Sequence, residues 1–321
     1  MSRLASRAEQ RASGAQRVRL SKQLRDDLRA YLFVSPWIVS LLVFTAYPML
    51  ASFYFALTRY NIIAPPEWVG LANFQRMFTD DPLFWPAVGN TLYYALLSVP
   101  LSLLVALGLA LLLNQSVRGI GIYRTIFYLP SLVPAVASAL LWLVLLNPQL
   151  GLVNTLIELV GLPRPGWFRS AAWAKPGLIL MSLWTGTGSA MLIFLAGLKD
   201  VPQSLLDAAM IDGANGWQRL RYVTLPLLTP TIFFNLVMGI IGSFQVFGLV
   251  LAAAGSGGGS VGPLNSLLMY MVLLYRNAFR SFEMGYASAM ALVLFVVLVL
   301  LTLLVVRSSS YWVHYEAGQP R

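Results

Sequence analysis

The sequence predicts an all-α integral membrane protein with about six transmembrane helices, and three observations carry that expectation. First, 58% of the residues are apolar and only 11% are charged, a balance that leaves too few polar side chains to cover a soluble domain. Second, six runs contain no Asp, Glu, Lys, Arg or His: 31–57, 90–113, 126–146, 176–198, 227–254 and 286–306. Each is about 20 residues or longer, which at helical rise crosses a hydrocarbon core of roughly 30 Å. Third, none of these runs alternates polar with apolar residues, so they are helices and not barrel strands.

Charge sets the expected orientation, because Lys and Arg near span ends stay on the cytoplasmic side. With both termini inside, that side receives 15 basic residues. They include the tail's Arg3, Arg7, Arg11, Arg17, Arg19, Lys22, Arg25 and Arg29, and the opposite side receives 7. The net charge of +10 then reports insertion direction and the lipid surface, and calls for no nucleic acid. Absence of cysteine excludes disulfides and thiolate metal sites.

In chain order, residues 1–30 form a basic cytoplasmic tail and 31–57 the first span. An external loop rich in Pro and aromatics follows over 58–87. A core over 88–307 holds the other five spans, and 308–321 is a second cytoplasmic tail. The third and fifth spans begin alike, LPSLVP from Leu129 and LPLLTP from Leu225, and proline there loosens the helical ladder. A brief amphipathic helix is expected over 153–160. The glycine-rich AGSGGGSVGP lacks the Lys-Ser/Thr ending of a phosphate loop and reads as flexible. After it, LNSLLMYMVLLY is too short to cross and is expected to lie as an external interfacial helix.

Catalytic chemistry is missing. The one histidine, His314, is in the carboxyl tail and no span carries a carboxylate, so neither intramembrane catalysis nor a buried proton relay is expected. Sodium coupling through backbone carbonyls at broken helices stays open, as does a membrane scaffold that recruits a soluble protein.

The most specific stretch is the long inner connection 199–225. Asp200 is placed to cap a helix that continues to Ile211 and carries Asp207, Ala208 and Ala209. Gly213 after Asp212 supplies a left-handed residue that ends it. Asn215 with Gln218 forms a capping box for a second helix, on which Trp217 and Leu220 share an apolar face. Two capped helices hinged at a glycine make either a docking surface for a soluble partner or a loop lying on lipid headgroups.

These residues carry a family resemblance. Asp207-Ala208-Ala209, Gly213, Val223 and Leu225-Pro226 match the spacing of the Glu-Ala-Ala signature of inner-membrane permease subunits of bacterial ABC importers. Asp207 stands where relatives have Glu, and Val223 where they have Ile. FYLPSLVPAVASALLWLVLLNPQLGLVN and SLWTGTGSAMLIFLAGLKDVPQSLLDAAMIDGA resemble the carbohydrate-uptake branch of the maltose and glycerol-phosphate permease type. The resemblance implies a type I ABC importer permease fold in the bacterial inner membrane. It also implies coupling to ATPase subunits through Asp207–Pro226, a second and different permease subunit, and an extracytoplasmic solute-binding protein. ATP and Mg would sit on the ATPase subunits and no cofactor on this chain, which would not be an enzyme. Polar and small residues of the spans offer a solute path: Ser131, Ala135, Ser182, Trp184, Gly186, Ser189, Gly239, Ser243 and Gln245. Of these, Ala135, Gly186 and Gly239 are placed by resemblance alone. Close helix packing is the competing use of such residues.

Overall fold

A computed structural model describes residues 24, 26, 27, 29–254 and 260–314. Most of the basic tail 1–30, the glycines and serine at 255–259 and the end of the tail 308–321 lie outside the described residues. In chain order the elements are α1 (Arg29–Ala56), β1 (Thr58–Arg59), β2 (Glu67–Trp68), α2 (Ala72–Gln75), α3 (Phe84–Leu113), α4 (Ile120–Leu132), α5 (Ala135–Leu145), α6 (Leu152–Leu159), α7 (Ala171–Lys199), α8 (Gln203–Ile211), α9 (Gly216–Leu227), α10 (Thr229–Phe244), α11 (Gly248–Ala254), α12 (Tyr270–Tyr275) and α13 (Met284–Trp312).

Among the described residues, α1, α3, α7 and α13 are each long and apolar enough to cross a membrane unaided. The other two expected spans are bent pairs: α4 meets α5 at 101° and α9 meets α10 at 65°. Counting each pair as one crossing gives six. The third charge-free run is therefore not one straight helix. Pro134 disfavours helical torsions at the residue before it, and Val133 is extended with ψ 128°, so α5 starts anew at Ala135. The fifth run also divides: α10 stops at Phe244, and Gly248–Ala254 is a separate short helix.

Proline accounts for three of the four wide turns among the described residues; the fourth, Arg276–Arg280, precedes no proline. Three single π-turns, Leu42–Ala46, Arg76–Asp80 and Leu220–Thr224, each end one residue before the residue that precedes Pro48, Pro82 or Pro226. A proline has no N–H for the carbonyl four back and its ring crowds that carbonyl. Widening the preceding turn moves the carbonyl aside, so the helix runs on past Pro48 and Pro226, whereas at Asp81 the backbone is extended and the helix ends.

The stretch 264–275 is not the external interfacial helix its length suggested. Only Tyr270–Tyr275 is α-helical, and Leu267, Leu268 and Met269 are fully buried. Burial of this irregular backbone is tolerated because side chains satisfy it. Asn90 Nδ2 donates to the carbonyls of Asn265 (2.9 Å) and Leu268 (3.1 Å), and the Tyr270 N–H donates to Thr91 Oγ1 (2.8 Å). The Tyr270 hydroxyl donates to the Met290 carbonyl (2.8 Å), tying the segment to α13. On the same face of the bundle, Arg76 meets Glu283 through two hydrogen bonds of 3.0 Å and lies over the Tyr286 ring.

Two apolar clusters result. One, around Phe84, Trp142, Met181, Met269 and Met290, fills the end of the bundle beside this buried segment. The other, around Leu113, Met191, Phe194 and Leu228, fills the end beside α8 and α9. Thr91→Val keeps the shape of the side chain but leaves the buried Tyr270 N–H unpaired, at a cost of about 1–3 kcal/mol. The melting temperature of the purified protein in detergent is expected to fall; an unchanged value would remove this bond from the account.

Candidate functional site

The loop joining α7 to α10 is organised by its own hydrogen bonds. Asp200 does not cap α8; its N–H closes α7 by donating to Ala196 and Gly197, and Pro202 stands at the start of α8 instead. The end of α8 is a Schellman motif. Ala214 N–H donates to the Ala209 carbonyl (2.9 Å) and Gly213 N–H to Met210 (3.0 Å), with Gly213 at φ +82°. One residue later the capping box forms: Gln218 N–H donates to Asn215 Oδ1 (2.9 Å) and Asn215 N–H to Gln218 Oε1 (2.7 Å). Both helix ends at the turn thus carry their own satisfied donors and acceptors, which fixes the turn without help from the rest of the protein.

This turn displays apolar surface at the end of the bundle. Ile211 is 87% exposed, Trp217 68% and Tyr222 73%, with Leu205 and Met210 half exposed. Asp207 and Ala208 are exposed beside them, and Asp207 accepts a hydrogen bond from Gln203 (2.9 Å). Asp212 is exposed and Ala209 half-buried, while Leu220, Leu225 and Pro226 are half-buried and lead into the bend. Trp217 and Leu220 therefore do different jobs: the first faces out, the second packs back.

The bend itself is bonded. Pro230 cannot donate to the Pro226 carbonyl, and the Thr229 hydroxyl does so in its place (2.6 Å) while accepting from the His314 N–H (2.9 Å). Leu228 at the bend is fully buried. Immediately beyond, α10 crosses α7 so closely that a Cβ on Gly197 would lie 2.4 Å from Thr231 Oγ1.

Between the two apolar clusters, α3, α7 and α10 enclose a cavity of about 410 Å³, within the range of small-molecule sites. Its polar lining includes Tyr94, Ser98 and Ser102 of α3, Ser182 and Ser189 of α7, and Asn235 and Ser243 of α10. Ser182, Ser243 and Asn235 donate to backbone carbonyls of their own helices (Ile179, Ile240 and Thr231). Their oxygens remain as acceptors, suited to hydroxyl donors of a solute. Gly186, Gly239 and Gly242 present bare backbone on the same wall, and a Cβ on Gly186 would touch nothing within 4 Å. Among the described residues no three His, Asp or Glu side chains converge as a metal site would require.

Five of the nine path residues read from the sequence line this cavity: Ser182, Gly186, Ser189, Gly239 and Ser243. Four do not. Ser131 sits in the last turn of α4 and bonds the Tyr128 carbonyl, and Ala135 lies against Gly248 of α11. Trp184 packs edge-on against Trp142, with ring centroids 6.1 Å apart, and Gln245 ends α10. The aromatic rings that do face the cavity belong to Tyr94 and Phe234.

Comparison with known proteins places this geometry. Residues 98–311 match the family described as the binding-protein-dependent transport system inner membrane component. A probable ABC transporter permease protein of Bacillus subtilis, YesP, is 45% identical over 96% of this chain and 99% of its own length. The trehalose/maltose transport system permease protein MalF of Thermococcus litoralis is 30% identical over 89% of this chain and 95% of its own. Among solved structures, a chain of a bacterial ABC transporter that imports the acidic polysaccharide alginate aligns with a TM-score of 0.78 at 25% identity. It covers 91% of this chain and 98% of the other.

The chain belongs to the binding-protein-dependent inner-membrane permease family. It is thus an ABC permease, a transport subunit and not an enzyme, with the type I importer fold. The permease carries three cavity residues that sequence reasoning missed: Tyr94, Ser98 and Ser102 recur every four residues on one side of α3. That spacing was visible, but serine in a membrane helix reads equally as packing.

Gly213→Val places a β-branched residue at φ +82° and opens the turn between α8 and α9. Membrane insertion is expected to be normal and solute uptake to fall at least tenfold, whereas Gly213→Asn, which tolerates the left-handed region, retains most activity. Full uptake by the valine variant would show that the turn's geometry is not needed.

Proposed function

We propose that this permease is one of two membrane-spanning subunits of an ATP-driven carbohydrate importer, and that the α8–α9 turn seats in its ATPase subunits. The observation that carries the reading is the turn itself. It combines the Asp207-Ala208-Ala209, Gly213, Leu225-Pro226 spacing of the family with self-sufficient hydrogen bonding and with Ile211, Trp217 and Tyr222 exposed together. Large apolar side chains displayed beyond the hydrocarbon mark a protein interface.

The solute class follows the relatives, whose names include trehalose, maltose and lactose, and a structural neighbour that imports alginate. The cavity's acceptor-rich, uncharged lining suits hydroxylated solutes. A second permease of different sequence would close its open side, and a binding protein would deliver the solute from outside the cell. ATP-dependent closure of the ATPases then pushes on α8 and α9, and α10 and α7 reorient around the cavity in alternating access. Both termini lie in the cytoplasm, and ATP and Mg are held by the partner ATPases.

Purification of the tagged chain from its native membrane is expected to bring a P-loop ATPase and a second permease with it. Uptake by the reconstituted complex is expected to need ATP and no sodium gradient. A chain that purifies alone and accumulates solute on a sodium gradient would overturn the reading.

A further inference from the structure

Besides the solute cavity, α3 and α13 flank an open groove of about 250 Å³. Among the described residues the two share no lining residue. The groove has a buried aromatic floor, in which Phe84 stands edge-on to Tyr270 with ring centroids 5.9 Å apart. Phe78 and Trp85 meet Phe84 edge-on in turn, at 5.5 and 5.3 Å, so the rings form a wall that is already assembled. Trp85, Leu92 and Val297 are exposed at the rim.

The chemistry of the lining excludes a polar occupant. Three of its residues carry polar side-chain atoms, and each donor is already used. The Thr91 hydroxyl donates to the Ala87 carbonyl (2.8 Å), the Tyr270 hydroxyl to the Met290 carbonyl (2.8 Å) and the Trp85 indole N–H to the Phe78 carbonyl (3.1 Å). Among the described residues no charged side chain lines the groove, so a hydroxylated solute there would lose its hydrogen bonds without replacement.

Depth identifies the medium outside the rim. The Arg76–Glu283 ion pair marks the water-facing end of α13. Val293 and Val297 lie about 15 and 21 Å inward along that helix, within a hydrocarbon layer of about 30 Å. Direction separates the groove from a subunit contact at the cavity. Trp85, Val88 and Leu92 sit roughly 110° round α3 from Tyr94, Ser98 and Ser102, which line the cavity. The groove thus faces away from the side on which a second permease would close that cavity.

We propose that the groove is a binding site for one acyl chain of a membrane lipid, in the leaflet opposite the α8–α9 turn. Lipid tails are as apolar as leucine, so the chain is held by dispersion contact with fixed rings and not by exclusion from water. The space equals about eight water molecules at roughly 30 Å³ each, room for a run of methylenes. The site rests on the membrane-spanning fold alone and is independent of the solute carried.

The test uses the complete importer reconstituted in vesicles of phosphatidylethanolamine and phosphatidylglycerol, with a trace of phosphatidylglycerol carrying a diazirine at mid-chain. After illumination, peptide mass spectrometry reads where the label attaches. Leu50 of α1 is the reference for passing lipid: it is exposed, and Phe53, one turn away, packs on Phe295 of α13 at the depth of the groove. Val88 and Leu92 are expected to be labelled roughly fivefold or more above Leu50, the mark of a held chain. Val293→Trp, which fills the groove, should bring Leu92 down to the level of Leu50. Val296→Trp, exposed on α13 outside the groove, should leave the wild-type ratio. If Val293→Trp does not assemble, the wild-type ratio and the Val296→Trp control decide. Equal labelling of Leu92 and Leu50 in wild type shows passing lipid only and overturns the proposal. So does an unlabelled groove in which a photoreactive residue in place of Leu92 captures the second permease.

Discussion

A helix in hydrocarbon cannot leave its backbone groups unpaired, and this constraint decides where the permease can bend. At three irregular places the backbone is repaired locally or packed over. The hydroxyl of Thr229 replaces the bond that Pro230 cannot make, and α7 covers the break before α5 so tightly that a Cβ on Gly188 would lie 2.8 Å from the Phe127 carbonyl. The buried non-helical stretch before α12 is held by Asn90 and Thr91. Bends tolerated on these terms sit at defined residues.

The 65° bend lies between the exposed turn and the cavity. In the proposed coupling, displacement of α8 and α9 passes through the turn held by the Schellman motif and the capping box, then through the bonded 65° bend into α10. There Gly197 lets the backbone of α7 meet the Thr231 side chain of α10, and both helices go on to line the cavity. The carboxyl end of α13 joins at the same point, through the His314 N–H on Thr229 and Trp312 against Phe233. A push at Trp217 is thereby linked to the spacing of Ser182, Ser189 and Ser243 by a short chain of close contacts. In such a chain small shifts become discrete rearrangements, because packed interfaces are not continuously deformable.

Much of this was legible from residue types alone. Absence of charge marked the spans because charge is costly in lipid, and Gly213, Asn215 and Gln218 announced their turn because each supplies a torsion or a cap that few residues can. What failed had a common cause. LPSLVP and LPLLTP look alike, yet the first breaks by 101° and the second bends by 65°. They differ at two positions, serine against leucine at 131 and 227 and valine against threonine at 133 and 229, and only Thr229 brings a hydroxyl to the carbonyl that the second proline of its motif leaves without an N–H. The stretch at 264–275 was misplaced for the same reason: its burial depends on Asn90 and Thr91, about 175 residues away. Trp184, read from the sequence as part of the solute path, packs against Trp142.

The central claim is that force reaches the cavity through the exposed turn. Because the chain has no cysteine of its own, a single cysteine at Trp217 can be crosslinked in native membranes without background from this subunit. The account predicts capture of the ATPase subunit, with a yield that changes when ATP is bound. Capture of lipid alone at that position, with ATP-driven uptake intact, would contradict it.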